Sequence, residues 1–449
     1  MAEAKPFIID KWTVHKAFKK VKENRGSAGI DNIDIKAYEK KLTMNLYKLW
    51  NRMSSGTYFP KPVKLVEIPK PNGGTRPLGI PTVEDRVAQM VVVMYINERL
   101  EAVFHEDSYA YRPNRSTSNA IAVARERCFR YSWVLDMDIS KFFDTIDHEL
   151  LMKAVRKHVS EKWILLYIER WLKVPYQTKD GKTIERDKGV PQGSVIGPVL
   201  ANLFLTYVFD LWMKKHYSNV PFERYADDTI CHCWTRQQAE ELKATLIKRF
   251  EECKLKLNEE KTKIVYCKDS NRRCNNAETS FDFLGFTFRG RGARNSKTHQ
   301  VFTAFLPAMS KKSFERKKEE IRSWKYLRNY HLDIEDLSVE MEDSVRGWIS
   351  YYTKWGKTEF YKLMNFLNER LVQWARKKYK HLKRQYILAK EWLVQLSETK
   401  KYLFYHWQRG YVPYRYLSIK NNRNYYKPKF NTKSRVMGDC QARFCERGG

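Results

Sequence analysis

Two short segments decide the fold: Val134-Leu-Asp-Met-Asp-Ile139 and Phe222-Glu-Arg-Tyr-Ala-Asp-Asp-Thr-Ile230. Alternating apolar and polar residues in the first segment predict a strand with both of its aspartates on one face. In the second segment, Asp227 and Asp228 stand at a bend between two apolar strands, and a simple turn would explain them equally well. Acids on two strands would repel each other and any polyanion, so we predict divalent cations between them.

The charge of the chain predicts a polyanionic partner. Lys and Arg number 84 against 52 Asp and Glu, which gives a net charge of +32. Nucleic acid is the usual partner of so basic a protein, and an anionic membrane is the alternative. No uninterrupted apolar run of about 18 residues is present, so we expect no membrane span. The first residues also lack a signal peptide pattern.

The order of predicted elements is typical of an α+β fold. Helices give way to a hairpin, then to alternating strands and helices, and finally to a basic helical region. The predicted segments are helices at Lys11–Asn24, Ile35–Ser54 and Glu84–Phe104, a hairpin within 61–82 turning at Asn72-Gly73-Gly74, alternating elements over about 131–290, and a helical stretch over 310–395.

One helix in the C-terminal third has two distinct faces. Its apolar stripe is made by Phe360, Leu363, Leu367, Leu371 and Trp374. Such a stripe is usually core, and the basic side chains opposite it are usually only solvated. Given the net charge, we favour a nucleic-acid-facing surface for the basic residues, which are Lys362, Arg370, Arg376 and Lys377.

The eight cysteines show no framework spacing, which fits a reducing cytosol. Cys231-His232-Cys233 lies in an apolar run, so we interpret both thiols as small core residues on one side of a strand. Cys440 and Cys445 have no second pair to complete a zinc site. Their role stays open.

From about residue 20 to 410 the motifs resemble those of the reverse transcriptases encoded by group II introns, the intron maturases. Leu65–Val83 resembles the fingers hairpin, whose phosphate-binding side chains would be Lys70 and Arg76. Ser108–Ser116 resembles the next block of this family and contains Arg112. The family more often has Gly-Phe where this chain has Ala110-Tyr111.

The central blocks follow in the family's order. The segment from Asp138 to Asp144 (DISKFFD) resembles the first palm motif, which assigns Asp138 as a metal ligand and Phe143 as the ring that excludes a ribose 2′-hydroxyl. Gly189-Val-Pro-Gln-Gly193 resembles the nucleotide and template motif, with Gln192 as the nucleotide contact. A helix should follow, because apolar pairs recur there every four residues.

The last blocks complete the resemblance. They are the acidic hairpin Tyr225-Ala-Asp-Asp228, the lysine block Leu257–Thr262, the primer grip Phe283-Leu-Gly-Phe286, and the thumb signature Arg346-Gly-Trp-Ile-Ser-Tyr-Tyr352. The site residues that the resemblance implies are Asp138, Asp227 and Asp228 for catalysis and metal; Lys70, Arg76, Phe143, Gln192 and Lys261 for the nucleotide; Arg112, Pro191, Gly193, Leu284 and Gly285 for template and primer; and Arg346, Trp348, Tyr351 and Tyr352 for RNA.

The resemblance also implies a right-hand polymerase architecture with an antiparallel palm sheet. We expect an N-terminal extension and fingers over 1–130 and a palm over 131–304, with 150–188 returning to the fingers. A helical thumb or maturase domain should occupy 305–400. A basic nucleic-acid-binding tail should occupy 401–449, too short for an endonuclease domain.

The implied function is RNA-directed DNA synthesis, with two Mg²⁺ ions, or Mn²⁺ in their place, assisting transfer from dNTPs to a primer 3′-hydroxyl. The implied partners are the intron RNA, an RNA template with a DNA primer, and target DNA, in a bacterial cytoplasm near the nucleoid. The oligomeric state stays open. Two alternatives remain: a splicing-only RNA-binding factor, and an intron-derived enzyme recruited to repair, retron or CRISPR-linked work.

Overall fold

The protein has an α+β fold, as the sequence predicts. The computed structural model describes residues 5–69, 74–273, 277–295 and 297–414. The chain divides into two compact units: the first comprises 1–124 and 133–264, and the second comprises 125–132 and 265–449. Among the described residues, no helix is both long and apolar enough to cross a bilayer.

The first unit is built mainly of helices around two small sheets. A π-helical turn, Thr206–Asp210, separates α9 from α10. The helices are α1 (Lys11–Glu23), α2 (Ile35–Glu39), α3 (Leu42–Ser55), α4 (Val83–Glu101), α5 (Thr117–Arg130, which runs on into the second unit), α6 (Phe142–Thr145), α7 (His148–Arg156), α8 (Lys162–Lys173), α9 (Gly197–Leu205), α10 (Leu211–His216) and α11 (Arg236–Glu252).

Side-chain caps explain where several of these helices begin. Asp10 accepts hydrogen bonds from the first backbone N–H groups of α1, and Thr82 does the same for α4. The single helix predicted over 35–54 is wrong in one respect, because it is interrupted between α2 and α3. There the Asn45 amide donates to the Tyr38 carbonyl at 2.9 Å, so a side chain replaces a helical backbone donor.

The sheets of the first unit bring distant segments together. The strands are β1 (Val63–Pro69), β2 (Thr75–Ile80), β3 (Trp133–Met137), β4 (Tyr176–Gln177), β5 (Thr183–Ile184), β6 (Phe222–Tyr225), β7 (Asp228–Cys233) and β8 (Lys263–Tyr266), the last of which leads out of the unit. One sheet has the order β2-β1-β4-β5, so the chain after α8 returns to the predicted hairpin. The other has the order β6-β7-β3-β8.

The central strands are buried on both faces. Cys231 and Cys233 of β7 are fully buried and stand opposite Leu135 and Trp133 of β3. The prediction that these thiols are core residues is therefore confirmed. Burial also raises the pKa of the Cys233 thiol to about 12, so the thiol stays protonated and unreactive.

The second unit combines one sheet with a helical region. Strands β9 (Ser280–Phe283), β10 (Phe286–Arg294) and β11 (Val301–Met309) form an antiparallel sheet in the order β11-β10-β9. The helices are α12 (Lys311–Ser323), α13 (Ile334–Tyr352), α14 (Thr358–Lys378), α15 (Tyr386–Thr399) and α16 (Tyr405–Gln408). The five apolar residues predicted on one stripe of α14 are all at most 1% exposed, which confirms that stripe as core.

The first residues of the expected C-terminal tail belong to the folded second unit. Phe404 and Trp407 are at most 1% exposed, and the Trp407 indole donates to the Asn368 side chain of α14 at 3.0 Å. Tyr411 is also buried. These aromatic residues, which lie within the predicted nucleic-acid-binding tail over 401–449, belong to the core of the second unit. Cys440 and Cys445 lie outside the described residues.

Candidate active site

A tight hairpin carries the acidic pair. Strands β6 and β7 are antiparallel, and Tyr225 pairs with Asp228 across a two-residue turn of Ala226 and Asp227. Ala226 has φ +59°, in the left-handed region that disfavours residues with a Cβ atom. The turn therefore needs support from its surroundings, and it places Asp227 at the tip with Asp228 at the start of β7.

The neighbouring strand delivers the third acid. Strand β3 pairs with β7, and its last residue, Met137, stands opposite Thr229. Asp138 follows directly, so it lies at the same end of the sheet as the hairpin tip. The pKa of Asp227 is raised by burial and by the negative charge of Asp138, so the two carboxylates lie within electrostatic range of each other.

Lys261 reaches Asp138 because two chain segments pair there. Ile139 bridges to Leu257, and the Asn258 backbone N–H donates to the Asp138 carbonyl at 2.8 Å. The turn that follows brings the Lys261 ammonium within 3.1 Å of the Asp138 carboxylate, with 65% of the lysine side chain exposed. A solvent-accessible cation thus pairs with the acid that we assigned to metal binding.

The loop containing Gln192 lies against β2. The Gly79 backbone N–H donates to the Gln192 carbonyl at 2.7 Å. Gly193 has φ +112°, and a Cβ atom there would come within 2.6 Å of the Gly79 carbonyl, so only glycine allows this approach. Pro191, which precedes Gln192, is buried at the same contact.

The two side chains predicted to bind the nucleotide, those of Arg76 and Gln192, are connected at this loop. The Arg76 guanidinium donates to the Gln192 amide oxygen, and the Gln192 amide nitrogen donates to Asp144 at 3.3 Å. Arg76 also lowers the pKa of Asp227. The structure therefore brings Arg76 and Gln192 together beside the carboxylates. Lys70 lies outside the described residues.

Phe143 is held in place by contacts of both its ring and its backbone. It is 8% exposed, and its ring meets that of Phe142 edge-on at 5.3 Å between centroids. Its carbonyl accepts a hydrogen bond from the Val190 backbone N–H at 2.7 Å, next to the Gln192 loop. The residue is thus fixed next to the loop that contains Gln192, and its role as the ring that excludes a 2′-hydroxyl stays a prediction.

Arg112 needs correction as a template or primer ligand. Only 5% of its side chain is exposed, and its guanidinium donates twice to Glu101, at 2.9 and 2.7 Å. It also donates to the carbonyls of His105 and Ser108. A side chain that is used inside the protein in this way holds the loop in shape rather than reaching a nucleic acid.

The preceding residue, Tyr111, was not singled out for the site. It has φ +57° and is 50% exposed. The pKa of its phenol is raised by burial and by the charges of Asp227 and Tyr225, whereas Arg76 opposes the rise, so the phenol lies within electrostatic range of the acidic hairpin. The departure from the family at Ala110-Tyr111 was the available signal for its importance.

The predicted primer grip is a turn in the second unit. Phe283 pairs with Phe286 across Leu284 and Gly285, which have φ +50° and +80°. Positive φ at both central residues is typical of a type I′ hairpin turn. The Tyr351 hydroxyl donates to the Leu284 carbonyl at 2.7 Å, so the thumb signature clamps this turn.

The aromatic residues of the thumb signature are mainly structural. Trp348 is 6% exposed and stacks on Trp324 at 5.5 Å, and Tyr352 is 3% exposed. Trp348 and Tyr352 thus pack the interior of the second unit, and a contact of these rings with RNA stays a prediction. Arg346 differs, since 58% of its side chain is exposed, although it pairs with Glu342 and lies 4.9 Å from the Tyr405 ring.

The chemistry of the carboxylates fits divalent cations. Hard carboxylate oxygens are the ligands that Mg²⁺ prefers, and the mutual repulsion of Asp138 and Asp227 would be relieved by a cation. Within the described part of the chain, no three His, Cys, Asp or Glu side chains are arranged as a complete metal site. Mg²⁺ is commonly held by one or two carboxylates together with substrate phosphates, so a complete protein site is not required.

Comparisons with known proteins agree with this geometry. Residues 68–288 match the family described as reverse transcriptase (RNA-dependent DNA polymerase). Residues 314–392 match the group II intron maturase-specific domain. The fold and the site thus define a class of protein, the RNA-directed DNA polymerases.

Individual relatives identify the family. Protein YkfC of Escherichia coli is 31% identical over 61% of this chain and 79% of its own length. The group II intron-encoded protein LtrA of Lactococcus lactis is 31% identical over 44% of this chain, which spans only 34% of LtrA. A solved telomerase from Candida albicans aligns over 82% of this chain and 68% of its own, at 12% identity and a TM-score of 0.45. The chain belongs to the group II intron reverse transcriptase and maturase family.

Proposed function

We propose that this protein copies RNA into DNA at the site formed by Asp138, Asp227 and Asp228. The observation that carries the proposal is that Asp138 and Asp227, 89 positions apart in the numbering, meet at one end of a sheet, where the charge of Asp138 contributes to the raised pKa of Asp227. The reaction is in-line transfer of a nucleotide to a primer 3′-hydroxyl, in which a protein mainly positions the reactants and neutralises charge.

Each described side chain has a role in this proposal. Arg76 binds the triphosphate of the incoming dNTP, and Lys261 approaches it from the side of Asp138. Gln192 orients the nucleotide while Arg76 and Asp144 hold its amide on both sides. Phe143 packs where a ribose 2′-hydroxyl would sit, so the site selects deoxyribonucleotides.

Asp138, Asp227 and Asp228 would hold two Mg²⁺ ions. Such ions supply an activated 3′-hydroxyl and charge neutralisation at the leaving pyrophosphate. The contribution of the protein is to bring hard oxygen ligands together on a rigid sheet. The exposed ammonium of Lys261, which pairs with Asp138, would be available to the triphosphate if Asp138 held a metal ion.

We also propose a right-hand architecture, with fingers up to about 130, a palm from 131 to 304 and a thumb from 305 to about 400. The turn of Leu284 and Gly285 would support the primer end, and Pro191 and Gly193 would lie along the template. The second unit would bind the group II intron RNA, assist its splicing and take part in its insertion into target DNA. Its basic side chains supply the necessary charge. A cytoplasmic, nucleoid-associated location stays a prediction.

The decisive experiment separates polymerisation from RNA binding. Asp227→Ala should reduce primer extension on an RNA template by on the order of 10³-fold or more, because charge stabilisation at the reacting phosphate is lost. RNA affinity should change less than about twofold, since Lys and Arg contribute it. The control is Asp136→Ala, which removes an acid of β3, the strand that leads to Asp138. This variant should retain primer extension. Ordinary activity in the Asp227→Ala variant would exclude the assigned site.

A further inference from the structure

A buried charged group lies directly beneath the acidic hairpin. Arg224 of β6 and Asp210, at the end of the π-helical turn, are both fully buried. The guanidinium is bound bidentately: Nε donates to Oδ1 of Asp210 at 2.7 Å and Nη2 donates to Oδ2 at 2.5 Å. Because removing two charges from water is costly, such a pair is weak evidence for stability and calls for another explanation.

The same guanidinium reaches the catalytic turn. Its Nη1 donates to the carbonyl of Ala226 at 3.3 Å and to the side-chain oxygen of Asn202 at 2.9 Å. Ala226 is the residue with φ +59° that directly precedes Asp227. A left-handed alanine is unfavourable by itself, so a donor on its carbonyl helps to hold the peptide that leads into Asp227.

The network extends to the neighbouring strand segment. The Asn202 amide donates to the Ala110 carbonyl at 2.7 Å, and the Tyr109 backbone N–H donates to the Arg224 carbonyl at 2.9 Å. Tyr111, which lies within electrostatic range of Asp227, follows directly. One buried cluster therefore supports two segments of the active site.

The π-helical turn makes this cluster possible. Asn202 and Asp210 are eight residues apart, which in a regular α-helix places them about 80° apart around the axis. The wider π turn, Thr206–Asp210, brings both toward the same guanidinium. Thr206 strengthens the arrangement, because its hydroxyl contacts the Asn202 carbonyl at 2.9 Å and Asp210 at 3.4 Å.

We propose that Arg224 and Asp210 are positioning residues of the polymerase, which set the Ala226 peptide and thereby aim the Asp227 carboxylate toward Asp138. This inference rests on the proposed function, since it concerns the geometry of the same site. A lysine at position 224 would keep the positive charge but lack the planar fork that reaches Asp210, Asn202 and Ala226 together. The position of the Ala226 peptide therefore depends on the planar shape of the guanidinium as well as on its charge.

The first test is Arg224→Lys, measured at a temperature below its unfolding transition. We expect kcat for primer extension to fall at least about tenfold, while KM for dNTP and RNA affinity change less than about threefold. The Mg²⁺ concentration for half-maximal extension should rise, and the thermal shift that Mg²⁺ produces in the free protein should become smaller. Unchanged kcat and an unchanged Mg²⁺ profile would overturn the proposal.

The second test separates positioning from stability. The double variant Arg224→Met/Asp210→Leu removes both charges together, and such replacements of a buried pair often preserve stability. We expect a melting temperature close to that of the unaltered protein but a kcat still reduced at least about tenfold. If the double variant regains both stability and full kcat, the ion pair is only structural. If it does not fold, the Arg224→Lys result decides.

A matched control lies on the same strand. Glu223 is also fully buried and pairs with His232 at 2.6 Å. Glu223→Gln should alter stability without changing the Mg²⁺ profile, and an equal change there would count against a special role of Arg224. Loss of activity in Asp227→Ala together with full kcat in the Arg224 variants would refute this inference while leaving the proposed function intact.

Discussion

Phe143 shows how a single ring acquires a role from its packing. The family resemblance predicts it as the group that rejects ribonucleotides. In the structure its ring is almost fully buried and packs against Phe142, while its backbone carbonyl is bound by the loop that contains Gln192. A rigid ring excludes a hydroxyl group better than a mobile one, because it cannot move aside at little cost. The selectivity itself stays a prediction.

Phe143→Ala should admit ribonucleotides. Removing the ring opens space for a 2′-hydroxyl, so the preference for dNTP over rNTP, measured as the ratio of kcat/KM values, should fall at least about tenfold. Phe142→Leu is the matched control, because it alters the adjacent core ring and should change stability without changing this ratio. Unaltered sugar selectivity in Phe143→Ala would show that another group is the gate.

Protonation of the buried Asp85 carboxyl makes the stability of the first unit depend on pH. Asp85 is 2% exposed, and it accepts hydrogen bonds from the hydroxyls of Tyr58 and Thr82. Burial raises the pKa of its carboxyl to about 6, although both hydrogen bonds oppose the shift. The folded state thus holds the proton more tightly than the unfolded chain, whose aspartate pKa is about 3.9. Its contribution to stability is therefore lost as pH rises from about 4 to about 6.

Asp85→Asn should remove that dependence. Between pH 4 and pH 7, the unfolding free energy of the variant relative to that of the unaltered protein should rise by about 2 kcal/mol. Denaturant unfolding of both proteins across this range measures it. Parallel curves for the two proteins would contradict the assignment.

Turns and irregular helical segments bring together residues that a regular helix or strand would keep apart. The apolar pairs after Pro198 recur every four residues, which is longer than the 3.6-residue α-helical repeat, and the helix indeed contains a π turn at Thr206–Asp210. The four-residue repeat can be read from the sequence. Its consequence, that Asn202 and Asp210 both contact the Arg224 guanidinium, cannot. In the second unit, the turn of Leu284 and Gly285 is likewise shaped by residues far away in sequence.

Gly285→Ala should destabilise the second unit. At φ +80° a Cβ atom would be strained, and it would stand 3.0 Å from the Ser313 hydroxyl. We expect a loss of about 1–2 kcal/mol in unfolding free energy and a lower melting temperature. Gly292→Ala, farther along β10 in the same sheet, is the control, because no neighbouring atom lies within 4 Å of its added methyl group. Equal melting temperatures for the two variants would refute the role of the turn.

The net charge of +32 governs the behaviour of the protein as a whole. If many phosphates are neutralised on binding, counterions are released and RNA affinity falls steeply with salt. We expect a loss on the order of 10³-fold between 50 and 200 mM monovalent salt, measured by filter binding with intron RNA. The Asp227→Ala variant should show the same slope. A nearly flat profile would mean that the basic surface serves another purpose.

The sequence by itself determined the fold class, the family, the acidic hairpin and the core stripe of α14, because these depend on local periodicity and on residues close together in the chain. Only the tertiary structure decided which polar residues serve the interior and which face the site. Arg112 and Trp348 are buried, Tyr111 lies within electrostatic range of Asp227, and Arg224 pairs with Asp210 at the end of the π-helical turn. The physical reason is that a charge or a ring acquires its role from the groups packed against it, and strand pairing and helix packing bring those groups from distant parts of the chain.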